Sequence, residues 1–261
     1  MIAVASPGVS TQQTLREWLL SAPFSLTMSS GYFSFFAHTG FLTALEEAGV
    51  LPVRVSGASA GALVGASWGA GLDAPRLADE LERLERADFW DPALGAGLLR
   101  GRLLRERLER LLPAHTFAQC RIPTAVSAFD VLRRKTQVLD RGELAPAICA
   151  SCALPILFQP VRIEGRAYLD GGIVDRPGLE GMPASESRVL FHHIASRSPW
   201  RLKNEVPTRA GMITLAIEGL PRSGPFRLDA GRRAFRAARA ATRRALELPL
   251  KGNVLVVPAS A

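Results

Sequence analysis

The chain has 261 residues, 48% hydrophobic and 21% charged, which is enough apolar matter for one large α/β core and excludes a disordered chain. No run of about 18 uncharged apolar residues occurs, and the first twenty residues gain charge before an apolar stretch develops. The sequence therefore predicts neither a spanning helix nor a signal peptide, and the expected compartment is the cytoplasm.

There are no internal repeats and no low-complexity linker, so one domain is expected over 24–261 behind an N-terminal extension, 1–23. "FSLTM" (24–28) reads as a short strand, and "SSGYFSFF" follows it as a loop. "AHTGFLTALEEAG" has helical spacing, with Leu42, Leu45 and Ala48 on one side and Gly49 at the end. "PVRVSG" is the next strand and "SAGALVGASWGA" the next helix. This strand–helix rhythm implies parallel pairing with right-handed crossovers. Two charged amphipathic helices are predicted from "PRLADELERLERADF" and "LLRGRLLRERLERLLP". "IPTAVSAFDVLRRKTQVLDRG" reads as a hairpin around a basic turn. Further strands are expected at "PVRIEGRAYLDGG", "RVLFHHI", "MITLAIEG" and "NVLVV". The whole reads as a three-layer α/β/α domain with a mostly parallel central sheet.

"VRVSGASAGALVGASWGAG" (53–71) places Ser59 between Gly57 and Gly61, where a strand turns sharply into a helix. At such a turn a serine hydroxyl is pushed into solvent, and glycines on either side remove Cβ clashes. The helix start adds free N–H groups, Ala60 supplying the first, and a positive potential for any anion forming there. The competing reading is a small-residue turn with a bystander serine. A serine nucleophile also needs a base. His38 sits at a helix start, where a structural hydrogen bond is expected, and His115 lies in a loop without supporting context. His192 and His193 point to opposite faces of one strand, and either could complete a Ser-Asp-His triad in α/β-hydrolase chain order. Asp170 ends a strand and is followed by Gly171 and Gly172. It is either a plain Asp-Gly turn or a direct base for the serine.

Cys149 and Cys152 form a C-x-x-C in a helix-like run stopped by Pro155. Zinc would need two further ligands, so both are expected to be small buried residues, and neither metal nor cofactor is implied.

Taken together, "SSGYFSFFAHTGFLTALEEAGV", "GASAG" (57–61), "ASCALPILFQPV" (150–161) and "YLDGG" (168–172) resemble the bacterial patatin-like phospholipases over roughly residues 24–175. The resemblance implies a Ser–Asp dyad without histidine, with Ser59 as nucleophile and Asp170 as its base. It also implies an oxyanion hole in the loop after the first strand, drawn from Gly31 and Tyr32 with Ala60. An acyl-ester or lipid substrate follows from it. The family's usual glycine triplet and basic residue are replaced here by Ser30-Gly31-Tyr32-Phe33-Ser34. Its aromatics are expected to narrow the acyl pocket, and a Tyr at a positive φ would be strained. Asp175-Arg176 stand where an asparagine commonly follows the Asp-Gly-Gly. Two alternatives stay open: an α/β-hydrolase-type esterase using His192 or His193, and a catalytically weak lipid-binding or regulatory protein of the same fold.

The segment from Arg227 to Lys251 holds eight basic and two acidic residues, most of the chain's net charge of +8. On a helix over 229–248, Arg232, Arg233, Arg236, Arg239, Arg243 and Arg244 fall within about 140° of arc, opposite a face of alanines. The plain reading is a surface helix with its alanine face packed on the sheet; the functional alternative is an interfacial helix drawn to anionic lipid head groups on the inner membrane face. No nucleic-acid motif accompanies the charge.

Overall fold

The computed structural model describes residues 13–194 and 207–260. A capping box between Thr14 and Glu17 starts α1 (Leu15–Ser21), whose Leu15 and Leu19 are buried against the main core. Residues 1–12 of the N-terminal extension lie outside the described residues. Next comes β1 (Ser25–Met28), which leads through a loop into α2 (Phe35–Glu47). Then β2 (Arg54–Ala58) passes through Ser59 alone into α3 (Ala60–Gly69). Asp73 caps α4 (Ala74–Glu82) by accepting from Arg76 N.

The helix predicted over 98–113 is instead split into β3 (Gly97–Leu99) and α5 (Arg102–Leu111). Gly101, at φ 78°, breaks the run. The Asp91 carboxylate then accepts from the N–H groups of Gly101, Arg102 and Leu103 at 3.0, 2.7 and 3.2 Å. A carboxylate 10 residues upstream thus satisfies the donors of the first turn, which helical periodicity could not reveal.

The predicted hairpin is present as β4 (Thr124–Asp130) and β5 (Lys135–Leu139). It is followed by α6 (Leu144–Ser151), β6 (Ile156–Phe158), β7 (Val161–Ile163), β8 (Arg166–Asp170), β9 (Val189–Ile194), β10 (Met212–Glu218), α7 (Leu228–Leu246) and β11 (Val254–Pro258). The main sheet runs β11-β10-β9-β1-β2-β4-β8-β7, with β5 also on β4. Pairings from β11 to β4 are parallel, and those of β5, β7 and β8 are antiparallel. The mostly parallel α/β architecture read from the strand–helix rhythm is the one found.

In these central strands, apolar and small polar residues alternate for a reason. Leu26, Met28, Val55 and Leu190 share one sheet face and pack beneath α2, α3 and α7. Thr27 and Ser56 point to the other face, where segment 175–186 crosses the sheet. Thr27 Oγ1 lies 3.0 Å from the carbonyls of both Pro177 and Gly178, and Ser56 Oγ donates to Gly178 O at 2.8 Å. These buried hydroxyls therefore have partners, and the segment is tied to the sheet.

As the alternation of alanine and arginine predicts, α7 buries Ala234, Ala238, Ala241 and Ala245. Its nearest neighbour is α2. A Cβ on Gly40 would lie 2.2 Å from Phe235 O, and one on Gly231 would strike the Phe36 ring at 2.3 Å, so the two glycines set how closely the helices approach.

Candidate active site

Parallel β1 and β2 are neighbours, so their C-terminal ends open side by side (Met28 opposite Gly57). At the end of β2, Ser59 is held at φ 52°, ψ −119°, a conformation rare for a side-chain-bearing residue. Gly57 and Gly61 are required for space rather than for φ. A Cβ on Gly57 would meet Gly61 C at 2.6 Å, and one on Gly61 would meet Met28 O at 2.1 Å. The Ser59 N–H donates to Ser151 Oγ at 2.8 Å, and that hydroxyl donates to Ser127 O at 2.7 Å. The turn is thereby pinned to β4.

Asp170, the last residue of β8, is brought to this turn from 111 residues away. Ser59 Oγ donates to Asp170 Oδ2 at 2.6 Å, and Gly172 N donates to Oδ1 at 2.8 Å. Added side chains at the two following glycines would be blocked, at Gly171 by Ser127 O (2.0 Å) and at Gly172 by Ser30 Oγ (2.4 Å). Burial raises the Asp170 pKa from 3.8 to about 6, outweighing the Ser59 and Gly172 hydrogen bonds, which pull it down.

In the wide turn after β1, the Ser30 N–H donates to Arg176 O at 2.7 Å and Ser34 N donates to Gly31 O at 3.1 Å. The N–H groups of Gly31 and Tyr32 bond to no described residue. Tyr32 escapes the strain a positive φ would bring, and the loop's positive φ falls at Phe33 (φ 53°). Gly31 is needed for space, since its Cβ would lie 2.4 Å from Ser34 Oγ. Ser59, Ala60, Asp170, Gly31 and Tyr32 all line one cavity of about 1120 Å³, walled by leucines of α4 and α5 and by Phe33, Phe35 and Phe89.

A family model described as patatin-like phospholipase matches residues 26–182. The chain belongs to the patatin-like phospholipase family. Uncharacterized NTE family proteins of Mycobacterium tuberculosis and Mycobacterium bovis are 34% identical to it over 154 residues, 58% of this chain and 43% of theirs. A second such protein of Mycobacterium tuberculosis is 30% identical over 170 residues, 61% of this chain and 27% of its own. The chain thus spans less than half the length of the curated relatives it matches. The crystal structure of VipD from Legionella pneumophila shares the fold at 16% identity, with a TM-score of 0.62 over 86% of this chain and 67% of that one.

In this patatin-like chain neither strand histidine lines the cavity with Ser59. The His192 ring lies under α2, with its Nδ1 2.8 Å from His38 Nδ1 and its face stacked on Phe41 at 4.0 Å. His193 points to the opposite face beside Phe191. Burial lowers both pKa values, that of His193 to about 4. The cysteines are free thiols, and no metal-binding cluster occurs among the described residues. Burial pushes the Cys149 thiol up to about 12 and raises that of Cys152 well above its usual range, which keeps both protonated. Cys152 is nonetheless beside the site, its Sγ 3.4 Å from Ser59 O. Ser151, which anchors the Ser59 turn, stands in the "ASCALP" stretch that carried the family resemblance. That stretch was the signal for it, although its role required the fold. Asp175 is structural. It accepts from Ser127 Oγ at 2.6 Å and from Leu179 N and Glu180 N at 3.0 Å each, and so shapes segment 175–186.

Proposed function

We propose that this chain is a serine lipid acyl hydrolase working through a Ser59–Asp170 dyad. The observation that carries the reading is the 2.6 Å hydrogen bond from Ser59 Oγ to Asp170 Oδ2, made at the wall of a large apolar cavity. Ser59 Oγ forms the new bond to the acyl carbonyl carbon while its proton moves to Asp170. The oxyanion is held by the N–H groups of Gly31, Tyr32 and Ala60. Collapse expels the alcohol, which takes the proton from Asp170 and leaves an acyl-serine. A water then attacks, Asp170 accepts its proton, and Ser59 recovers that proton as the fatty acid departs. A carboxylate is a weak base, but one raised to about 6 and already bonded to the nucleophile is better matched to neutral pH than an ordinary one. The leucines and phenylalanines of the cavity suit an acyl chain.

A second observation concerns the membrane. Part of the arginine stripe of α7 is engaged within the fold: Arg239 and Arg243 pair with Glu47, and Arg232 donates to Glu82 O and Leu84 O. Arg233 and Arg236 are exposed with no ion pair among the described residues. They are the residues through which α7 would meet an anionic lipid surface.

Labelling with a fluorophosphonate, paired with hydrolysis of a panel from short p-nitrophenyl esters to phospholipid vesicles, tests the enzyme reading. The parent should label and hydrolyse, and Ser59→Ala should do neither. A folded parent that does not label would make the chain a lipid-binding relative, and labelling that survives Ser59→Ala would remove Ser59 as nucleophile.

A further inference from the structure

His38 and His192 are both fully buried, and neither belongs to the dyad. Their bonds converge on the oxyanion turn. His38 Nε2 lies 2.8 Å from Ser29 O, and the two Nδ1 atoms are 2.8 Å apart. Ser29 N donates to His192 O at 3.2 Å, and Ile194 N donates to Ser29 Oγ at 2.9 Å. The next N–H, that of Ser30, goes to Arg176 O. The peptide between Ser29 and Ser30 is therefore fixed at both ends, its carbonyl by His38 and its N–H by Arg176. The Gly31 and Tyr32 N–H groups come immediately after it.

A carbonyl only accepts, so His38 Nε2 must carry the proton it shares with Ser29. In a neutral His38 ring Nδ1 is then a lone pair, and the proton between the rings belongs to His192 Nδ1. His192 Nε2, buried without a partner among the described residues, is left as the unprotonated nitrogen. The alternative, a charged His38, would put an unpartnered N–H at that buried position. It would also bury a cation with no carboxylate bonded to either ring among the described residues. Burial lowers the His38 pKa to about 4 and that of His192 well below its usual value, in agreement with two neutral rings.

We propose that His38 and His192 form a neutral imidazole pair of defined tautomers that clamps the Ser29 carbonyl and so positions the oxyanion turn. Both are positioning residues, and the inference rests on Ser59 being the nucleophile served by that turn. Two-bond ¹H–¹⁵N spectra of the parent at pH 7 test the pair without recourse to activity. His38 should be the Nε2–H tautomer and His192 the less common Nδ1–H tautomer. A charged ring at pH 7, or an Nε2–H His192, would overturn it. Kinetics test the positioning. His38→Asn keeps a polar group near Nδ1 but cannot reach Ser29, and kcat should fall roughly ten- to a hundredfold with KM within about twofold. His38→Gln reaches the Nε2 position and should restore most of the loss, a rescue that a merely structural role would not produce. Should His38→Asn fail to fold, His192→Asn, which keeps the donor, is expected to turn over near the parent rate and His192→Leu at least about tenfold slower. Parent-level kcat in a folded His38→Asn or His192→Leu sinks the proposal. A parent that neither labels nor hydrolyses removes the dyad reading instead, and the tautomers are still decided by the spectra.

Discussion

The turns leaving β1 and β2 are neighbours built on opposite plans. The second is a single residue, Ser59, and presents a side chain. The first runs from Ser29 to Ser34 and presents backbone. Each holds one non-glycine residue at a positive φ, Ser59 at 52° and Phe33 at 53°. The tight turn is held from below: Ser151 fixes its N–H, and Gly57 and Gly61 let strand, helix and the β1 end approach. The wide turn is held from its flanks, by Arg176 O, by His38 and by Ser34 N on Gly31 O. Side-chain presentation needs one strained residue and small neighbours. Backbone presentation needs N–H groups left unbonded while their surroundings are fixed. The first plan leaves its G-x-S-x-G motif intact, and of the glycine triplet usual for the second only Gly31 stands in this chain.

The comparison breaks most severely where the tight turn loses its partner. Asp170→Asn is close to isosteric but cannot accept the serine proton, so kcat should fall by roughly a thousandfold or more. Parent kcat/KM should rise with pH through about 6 and level off above, because Asp170 must be ionised to act as the proposed base. Stability runs the other way. The folded pKa lies above the ordinary 3.8, so this group's contribution is fully present below about pH 4 and is lost as pH rises through about 6. The loss is of the order of 2–3 kcal/mol. Asp170→Asn is free of it and should melt at a higher temperature than the parent at pH 7.5. A variant of near-parent rate, or one that melts lower at that pH, would contradict the role given to Asp170.

The wide turn is broken by volume. Gly31→Val places a branched side chain where even a Cβ meets Ser34 Oγ at 2.4 Å. Turnover should drop by roughly a hundredfold while the fold survives, since the change sits at the cavity wall. Unchanged kcat in the folded variant would move the oxyanion donors away from this turn.

The smallest effect is expected far from both turns. Arg233→Glu with Arg236→Glu reverses the part of the α7 stripe that makes no ion pair among the described residues. Sedimentation with anionic vesicles should weaken severalfold in low salt, binding to neutral vesicles should not change, and hydrolysis of a short soluble ester should stay at parent level. Equal sedimentation of variant and parent would leave α7 as a packing helix only.

Some of this molecule is written in short-range chemistry. The G-x-S-x-G turn, the Asp-Gly-Gly at a strand end, the strand–helix alternation and the alanine face of α7 are local patterns. Each depends on residues within a few positions of one another, so each is legible along the chain. The α5 boundary was not, because Asp91 caps that helix from outside its periodic run. The same holds for the contacts that make a site. Ser59 meets Asp170 only through the register of β2, β4 and β8. Ser151 becomes the anchor of the Ser59 turn only when α6 packs over β4. His192 and His193 each fit a triad on chain order alone, whereas the sheet turns His192 toward His38 and His193 to the other face. A sequence specifies which groups are present and how each local turn is shaped. Which groups touch is decided by strand register and helix packing over more than a hundred residues, because burial and hydrogen-bond satisfaction are settled by the whole fold together.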